Sequence, residues 1–228
     1  MFPVGDDRVQ GGPPAIATFG LIALNVLAFM LELTQPSNAA LQSFIQAWGV
    51  VPREYSAFRD LPPTIPVPFW STLLTSMFLH GGWMHLGGNM LYLWIFGDNL
   101  EKVMGAVRFV IFYLACGLAA SFAHIAFGPG STTPAVGASG AISGVLGGYL
   151  VLFPQNRVRV LTRGGIASVL AIVVLGFWIL IQLFNGIGSM ATTSETGGGV
   201  AYMAHIGGFV AGLVLVKLMA SPRRAMWS

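Results

Sequence analysis

Long stretches of this chain carry no charge at all. Nothing ionised lies between Arg8 and Glu32, between Asp60 and Asp98, between Arg108 and Arg157, between Arg163 and Glu195, or between Glu195 and Lys217. A helix that crosses a bilayer needs about 20 mostly apolar residues. The window from Arg108 to Arg157 is long enough for two, divided by the run Gly128-Pro-Gly-Ser-Thr-Thr-Pro134. The composition agrees, with 11 Lys+Arg and 8 Asp+Glu in 228 residues, so 8% are charged. Soluble domains carry about 25%. So few charges could not cover a water-exposed surface of this size. An ordinary cytosolic enzyme, a disordered chain and a nucleic-acid binder with a basic patch are therefore excluded. The single Cys116 excludes a disulfide framework within one chain.

The windows predict an all-α polytopic membrane bundle of six transmembrane helices, over 15–33, 82–100, 107–127, 138–153, 166–184 and 199–219. The expected domain is 15–219, between a short cytoplasmic N-terminus, 1–14, and a cytoplasmic tail, 220–228. With six spans, Arg8, Lys102, Arg108, Arg157, Arg159, Arg163, Lys217, Arg223 and Arg224 share one side, against Arg53 and Arg59 on the other. The excess of cations marks the cytoplasmic side and puts both termini there. The first span has a poor positive flank for a cleaved signal peptide and reads as retained. The segment 34–81, rich in proline and aromatics, is expected along the outer interface. The Gly/Ser/Thr-rich stretch 186–199 reads as a mobile loop.

Polar residues inside spans are costly and point to function. The second span opens with His80-Gly-Gly-Trp-Met-His85-Leu-Gly-Gly-Asn89, the fourth with Gly137-Ala-Ser139-Gly140, and the sixth holds Ala204-His205-Ile-Gly-Gly208. These spans run in the same direction. His85, Ser139 and His205 fall early in each, within about 10 Å of the outer end at about 1.5 Å per residue. His85 and Asn89 are four apart and share a helix face. Gly140, Gly144 and Gly148, with Gly208 and Gly212, allow two helices to approach backbone to backbone.

This arrangement makes Ser139 the candidate nucleophile and His205 its candidate base and later acid. His85, Asn89 and the backbone N–H groups near Ser139 become candidate oxyanion donors. No Asp or Glu lies at that depth, so a two-residue dyad is expected. His80 and His85 are poorly spaced for one metal, and no His-Glu-x-x-His occurs, so neither metal nor other cofactor is expected. His80 reads as a loop-stabilising residue. His124, Asn25, Gln182 and Asn185 read as packing or interface groups.

The residues Gly137-Ala-Ser-Gly140, Ala204-His205-x-x-Gly208-x-x-x-Gly212 and His80-x4-His85-x3-Asn89 resemble the rhomboid family of intramembrane serine proteases, as does Phe96-Gly-Asp-Asn-Leu-Glu101. The resemblance covers roughly residues 65 to 215. It implies cleavage of a peptide bond in or near the transmembrane helix of a membrane-protein substrate, with Ser139 and His205 catalytic and His85 and Asn89 lining the oxyanion site. It also implies an integral, multi-pass protein, expected in a bacterial inner membrane with its site opening outward. The expected partners are transmembrane substrates and lipid, not nucleic acid. Two departures stand out. Trp70 is followed by Ser71 where the family often has Arg, and Ser143 stands where an aromatic usually stacks on the histidine. The competing reading is a non-catalytic relative that binds or escorts transmembrane helices. A small transporter would instead show inverted repeats or midplane ionisable residues, and the sequence shows neither.

Overall fold

A computed structural model describes residues 2–7, 9, 14–191 and 198–220, with side chains left aside for 188–191 and 198–201. Arg8, Glu195, Arg223 and Arg224, used above to read topology, lie outside the described residues, as does 192–197 of the expected loop. The described chain is mostly helical. Its elements are β1 (Phe2–Asp6), α1 (Ile16–Leu33), α2 (Asn38–Trp48), α3 (Pro52–Ala57), α4 (Thr72–Thr75), α5 (Trp83–Met104), α6 (Ala106–Phe127), α7 (Ser139–Leu152), β2 (Arg157–Thr162), β3 (Gly165–Leu170), α8 (Ala171–Ala191) and α9 (Gly198–Met219). By length and apolarity alone, α1, α6 and residues Tyr202–Met219 of α9 can each cross a membrane; α7 and Ala171–Ile187 of α8 are shorter apolar helices.

Helices α7 and α9 form the centre, packed flat on each other and on α6. The contact is backbone to backbone because the facing residues have no side chains. A Cβ on Gly208 would strike the Gly140 carbonyl, one on Gly212 the Gly144 carbonyl, and one on Gly147 the Phe209 carbonyl. On the α6 side, a Cβ on Gly140 would lie 2.5 Å from that of Ala120, and one on Gly207 2.5 Å from that of Ala123. Small residues at four-residue spacing thus draw three helices together at the depth of Ser139.

Helix α5 continues a turn beyond the expected 100, to Met104. Gly105, at φ 84°, then ends it and starts α6. That last turn carries buried polar anchors. Both Glu101 oxygens accept from α1: Oε1 from the Ala17 N–H at 2.8 Å, Oε2 from the Thr18 N–H at 2.7 Å and the Thr18 hydroxyl at 2.8 Å. Helix α1 lacks a side-chain cap of its own. Its unsatisfied first-turn donors, and the positive end of its dipole, are met by a carboxylate from another helix. Glu101→Ala would orphan these buried donors and is expected to lower unfolding stability by about 3 kcal/mol. A denaturation curve in detergent micelles would measure it.

The expected helix over 166–184 begins only at Ala171, because residues 165–170 form β3. The stretch Arg157-Val-Arg-Val alternates with period two, burying Val158 and Val160 while Arg157 and Arg159 face out. Its hairpin with β3 pairs Arg157 with Leu170 and Thr162 with Gly165. On its other edge β2 pairs antiparallel with β1, Phe2 opposite Leu161 and Asp6 opposite Val158. Buried Asp6 accepts from Asn99 Nδ2 at 2.8 Å and from the Tyr149 hydroxyl at 2.5 Å. The N-terminal strand is thereby tied to α5 and α7. The expected mobile loop at 186–199 is likewise shortened, since α8 continues through Ala191.

Within 34–81 stand the short helices α2, α3 and α4 and two 3-10 turns, Phe69–Ser71 and Ser76–Phe78. Val50 bridges to Ala135 in the loop before α7. Phe58 and Trp70 remain exposed.

Candidate active site

Ser139 is the first residue of α7, and its Oγ lies 2.9 Å from Nε2 of His205 on α9. The glycine contacts that press these two helices together sit directly beside this pair, at Gly140 and Gly208. On the opposite side of the imidazole, Nδ1 lies 2.8 Å from Oε1 of Gln182 on α8. Trp178, one turn earlier on α8, brings its indole to 6.1 Å from the imidazole, centroid to centroid, at 42°. An aromatic neighbour is thus present, but it comes from α8 rather than from α7. At the α7 position, the Ser143 hydroxyl turns back along its helix and donates to the Ser139 carbonyl at 2.6 Å.

His85 and Asn89 occupy the α5 side of the same space. They share a cavity of about 320 Å³ with Ser139, Ser143, Trp178, Gln182 and His205. Gly137, at φ 119°, brings the backbone leading into Ser139 against them. A Cβ there would lie 2.8 Å from His85 Nε2 and 3.6 Å from Asn89 Nδ2, so only glycine fits both the dihedral and the space. The Gly81 N–H points at His85 Nδ1 from 3.3 Å, and a nitrogen that accepts there leaves the ring hydrogen on Nε2. The His85 donor therefore faces Gly137. Asn89 Nδ2 is buried and finds no hydrogen-bond partner among the described residues. Two N–H donors thus converge beside the serine.

A second cavity, of about 170 Å³, lies on the α6 side of Ser139 and His205 and reaches Ser121 and His124. The Ser–His pair stands between the two spaces. No group of three or more His, Cys, Asp or Glu side chains suited to a metal occurs among the described residues.

His80 is buried in the approach to α5. Its backbone N–H donates to Glu32 Oε1 on α1 at 2.9 Å, and its ring meets that of His85 edge-on at 5.1 Å. Burial, and then the neighbouring His85 imidazole, push His80 down to about 4, so it is neutral near pH 7. It links α1 to the turn that holds His85. Of the residues singled out in the sequence, Ser139, His205, His85 and Asn89 meet in one place, while His80 supports it from behind. Gln182 was read as a packing group, yet it touches the imidazole. A polar side chain in an otherwise apolar helix was the available signal.

A bundle of apolar helices thus holds a serine and a histidine in hydrogen-bond contact beside two N–H donors. The Rhomboid domain matches residues 68–222, and the chain belongs to the rhomboid family. It is 31% identical over 215 residues to Rhomboid protease GluP of Bacillus subtilis, covering 94% of this chain and 36% of that protein. It is also 31% identical over 206 residues to the mitochondrial Rhomboid protein 1 of Saccharomyces cerevisiae, covering 88% and 52%. With RHOMBOID-like protein 7 of Arabidopsis thaliana it shares 30% identity over 196 residues, covering 86% and 53%. The chain thus spans about a third to a half of the length of these relatives.

Proposed function

We propose that this chain is an intramembrane serine endopeptidase that cuts a peptide bond in or near the transmembrane helix of a membrane-protein substrate. The observation that carries the proposal is the 2.9 Å contact between Ser139 Oγ and His205 Nε2. A serine hydroxyl is too weak an acid to attack unaided, and a base within hydrogen-bond reach removes that obstacle. Ser139 Oγ adds to the substrate carbonyl as His205 Nε2 takes its proton. The carbonyl oxygen, now negative, is met by His85 Nε2–H and Asn89 Nδ2. As the tetrahedral adduct collapses, His205 returns the proton to the leaving amine and an acyl-serine remains. Water repeats the sequence in reverse order, with His205 again the base, and frees the serine. Preformed donors beside the nucleophile are worth several kcal/mol each in such chemistry.

The same reading assigns six membrane spans to α1, α5, α6, α7, α8 and α9. It places the termini in the cytoplasm of a bacterial inner membrane and opens the site to the outer side. The domain is 15–219, with 1–14 and 220–228 flanking it. Lipid and transmembrane substrates are the partners, and nothing in the chemistry calls for a cofactor. The escort reading uses the same fold without the chemistry; the Ser–His contact disfavours it.

A fluorophosphonate probe separates them. Labelling is expected on Ser139 and not on Ser143, as read by peptide mass, and is expected to vanish in Ser139→Ala. A folded protein in lipid that leaves Ser139 unlabelled would support the escort instead.

A further inference from the structure

A histidine that takes a proton from serine at Nε2 must carry its own ring hydrogen on Nδ1. A neutral imidazole left to itself is free to hold it on either nitrogen. Serine proteases of other folds settle the matter with a buried carboxylate. Among the described residues, the hydrogen bonds of the His205 ring go to Ser139 and Gln182, and neither partner is a carboxylate. Gln182 Oε1 is an amide oxygen, which accepts and cannot donate. At 2.8 Å it holds the hydrogen on Nδ1 and leaves Nε2 bare toward Ser139. Gln182 is itself 8% exposed, so this bond is sheltered from water. Trp178, at i−4 on the same face of α8, limits the tilt of the ring.

We propose that Gln182 is a positioning residue for the base, an uncharged third member that α8 supplies to the Ser139–His205 pair. The proposal rests on the serine-base reading above. An amide suits the location. A carboxylate there would be a buried charge in the bilayer for most of the cycle, whereas the amide fixes the tautomer without that cost. α8 contains no ionisable residue. The titratable groups that share cavities with His205 are His85 and Tyr92 from α5 and His124 from α6.

Two variants in detergent or liposomes test this, with cleavage of a transmembrane reporter and the rate of fluorophosphonate labelling as readouts. Gln182→Met keeps length and removes the acceptor. Its kcat and labelling rate are expected to fall about tenfold to a hundredfold, with KM within about twofold and the melting temperature at least that of wild type. Gln182→Glu restores an acceptor. It is expected to recover most of the rate lost in Gln182→Met above the acidic limb. A carboxylate against Nδ1–H favours the imidazolium, which is the inactive form of a base, so the acidic limb of the kcat profile should move to higher pH by about one unit or more. A residue that merely packs gives another pattern: Gln182→Met stays within twofold of wild type and the limb stays put for Gln182→Glu. That result, with wild type active and lost in Ser139→Ala, overturns the present inference alone. A wild type that neither labels nor cleaves, indistinguishable from Ser139→Ala, overturns the serine-base reading and this one with it.

Discussion

His205→Ala is expected to lower the cleavage rate of a transmembrane reporter by about 10⁴-fold or more while the helical content and melting temperature stay close to wild type. The imidazole contributes little to packing at this point. It touches Ser139 on one side and Gln182 on the other, in a position that borders two cavities rather than the apolar core. Its loss leaves Ser139 as an ordinary hydroxyl with no acceptor for its proton. Ser139→Ala should cost as much, and the double variant no more than either single one, because the two groups act in one step. Substrate affinity should change little, since neither group is needed to hold a helix in the cavity. Single-turnover cleavage at saturating reporter, with circular dichroism as a control for folding, makes the measurement. Cleavage by His205→Ala within tenfold of wild type would place the base elsewhere.

Gly212→Val is expected to damage fold and site together. A Cβ at this position would collide with the Gly144 carbonyl, and a backbone atom cannot swing aside as a long side chain can. The α7–α9 pair must separate, and the neighbouring Gly208–Gly140 contact separates with it. Overpacking against a rigid partner costs about 3 kcal/mol or more. Ser139 and His205 ride on these same two helices, so cleavage should be lost even in molecules that remain folded. Gly176 on α8 supplies the control, since a Cβ there meets nothing within 4 Å and Gly176→Ala should be tolerated. A melting curve and a cleavage assay on the two variants would show the contrast. A Gly212→Val protein of wild-type stability would mean that the glycine seam is not what holds the bundle.

The helices were legible for a plain reason. Absence of charge is a strong signal in a chain that must satisfy lipid, and each of the segments it marked overlaps one of the helices α1 and α5 through α9. That Ser139, His205, His85 and Asn89 line one space was also readable, because three segments expected to span in one direction carry polar groups at one expected depth. The sheet was missed. Arg157-Val-Arg-Val did alternate, but its arginines were read for topology rather than for period. The first strand, Phe2–Asp6, contains proline and glycine and finds its partner across most of the chain, so no local pattern marks it. Residues 34–81 were placed along the outer interface with no elements assigned; α3 and α4 are only one or two turns long, and α2, 11 residues without a proline, went unassigned beside the prolines that flank it. Gln182 was visible as a polar residue in an apolar helix, yet its partner lies on a different helix, and nothing in one dimension says which.

The N-terminal end of α8 is fastened. Ala171 and Leu175 are fully buried, and the Ala171 and Ile172 N–H groups donate to the carbonyls of Asn156 and Pro154. Phe177, Phe184 and Ile187 beyond them are exposed. If α8 were to pivot about that end, residue 182 would stand about 16 Å along the arm. A tilt of only about 10° would carry the glutamine about 3 Å, as far as the whole length of its bond to the imidazole. A polypeptide that wedges α8 aside would slacken the base as it arrives, and the arm would have to settle back before the serine could be armed.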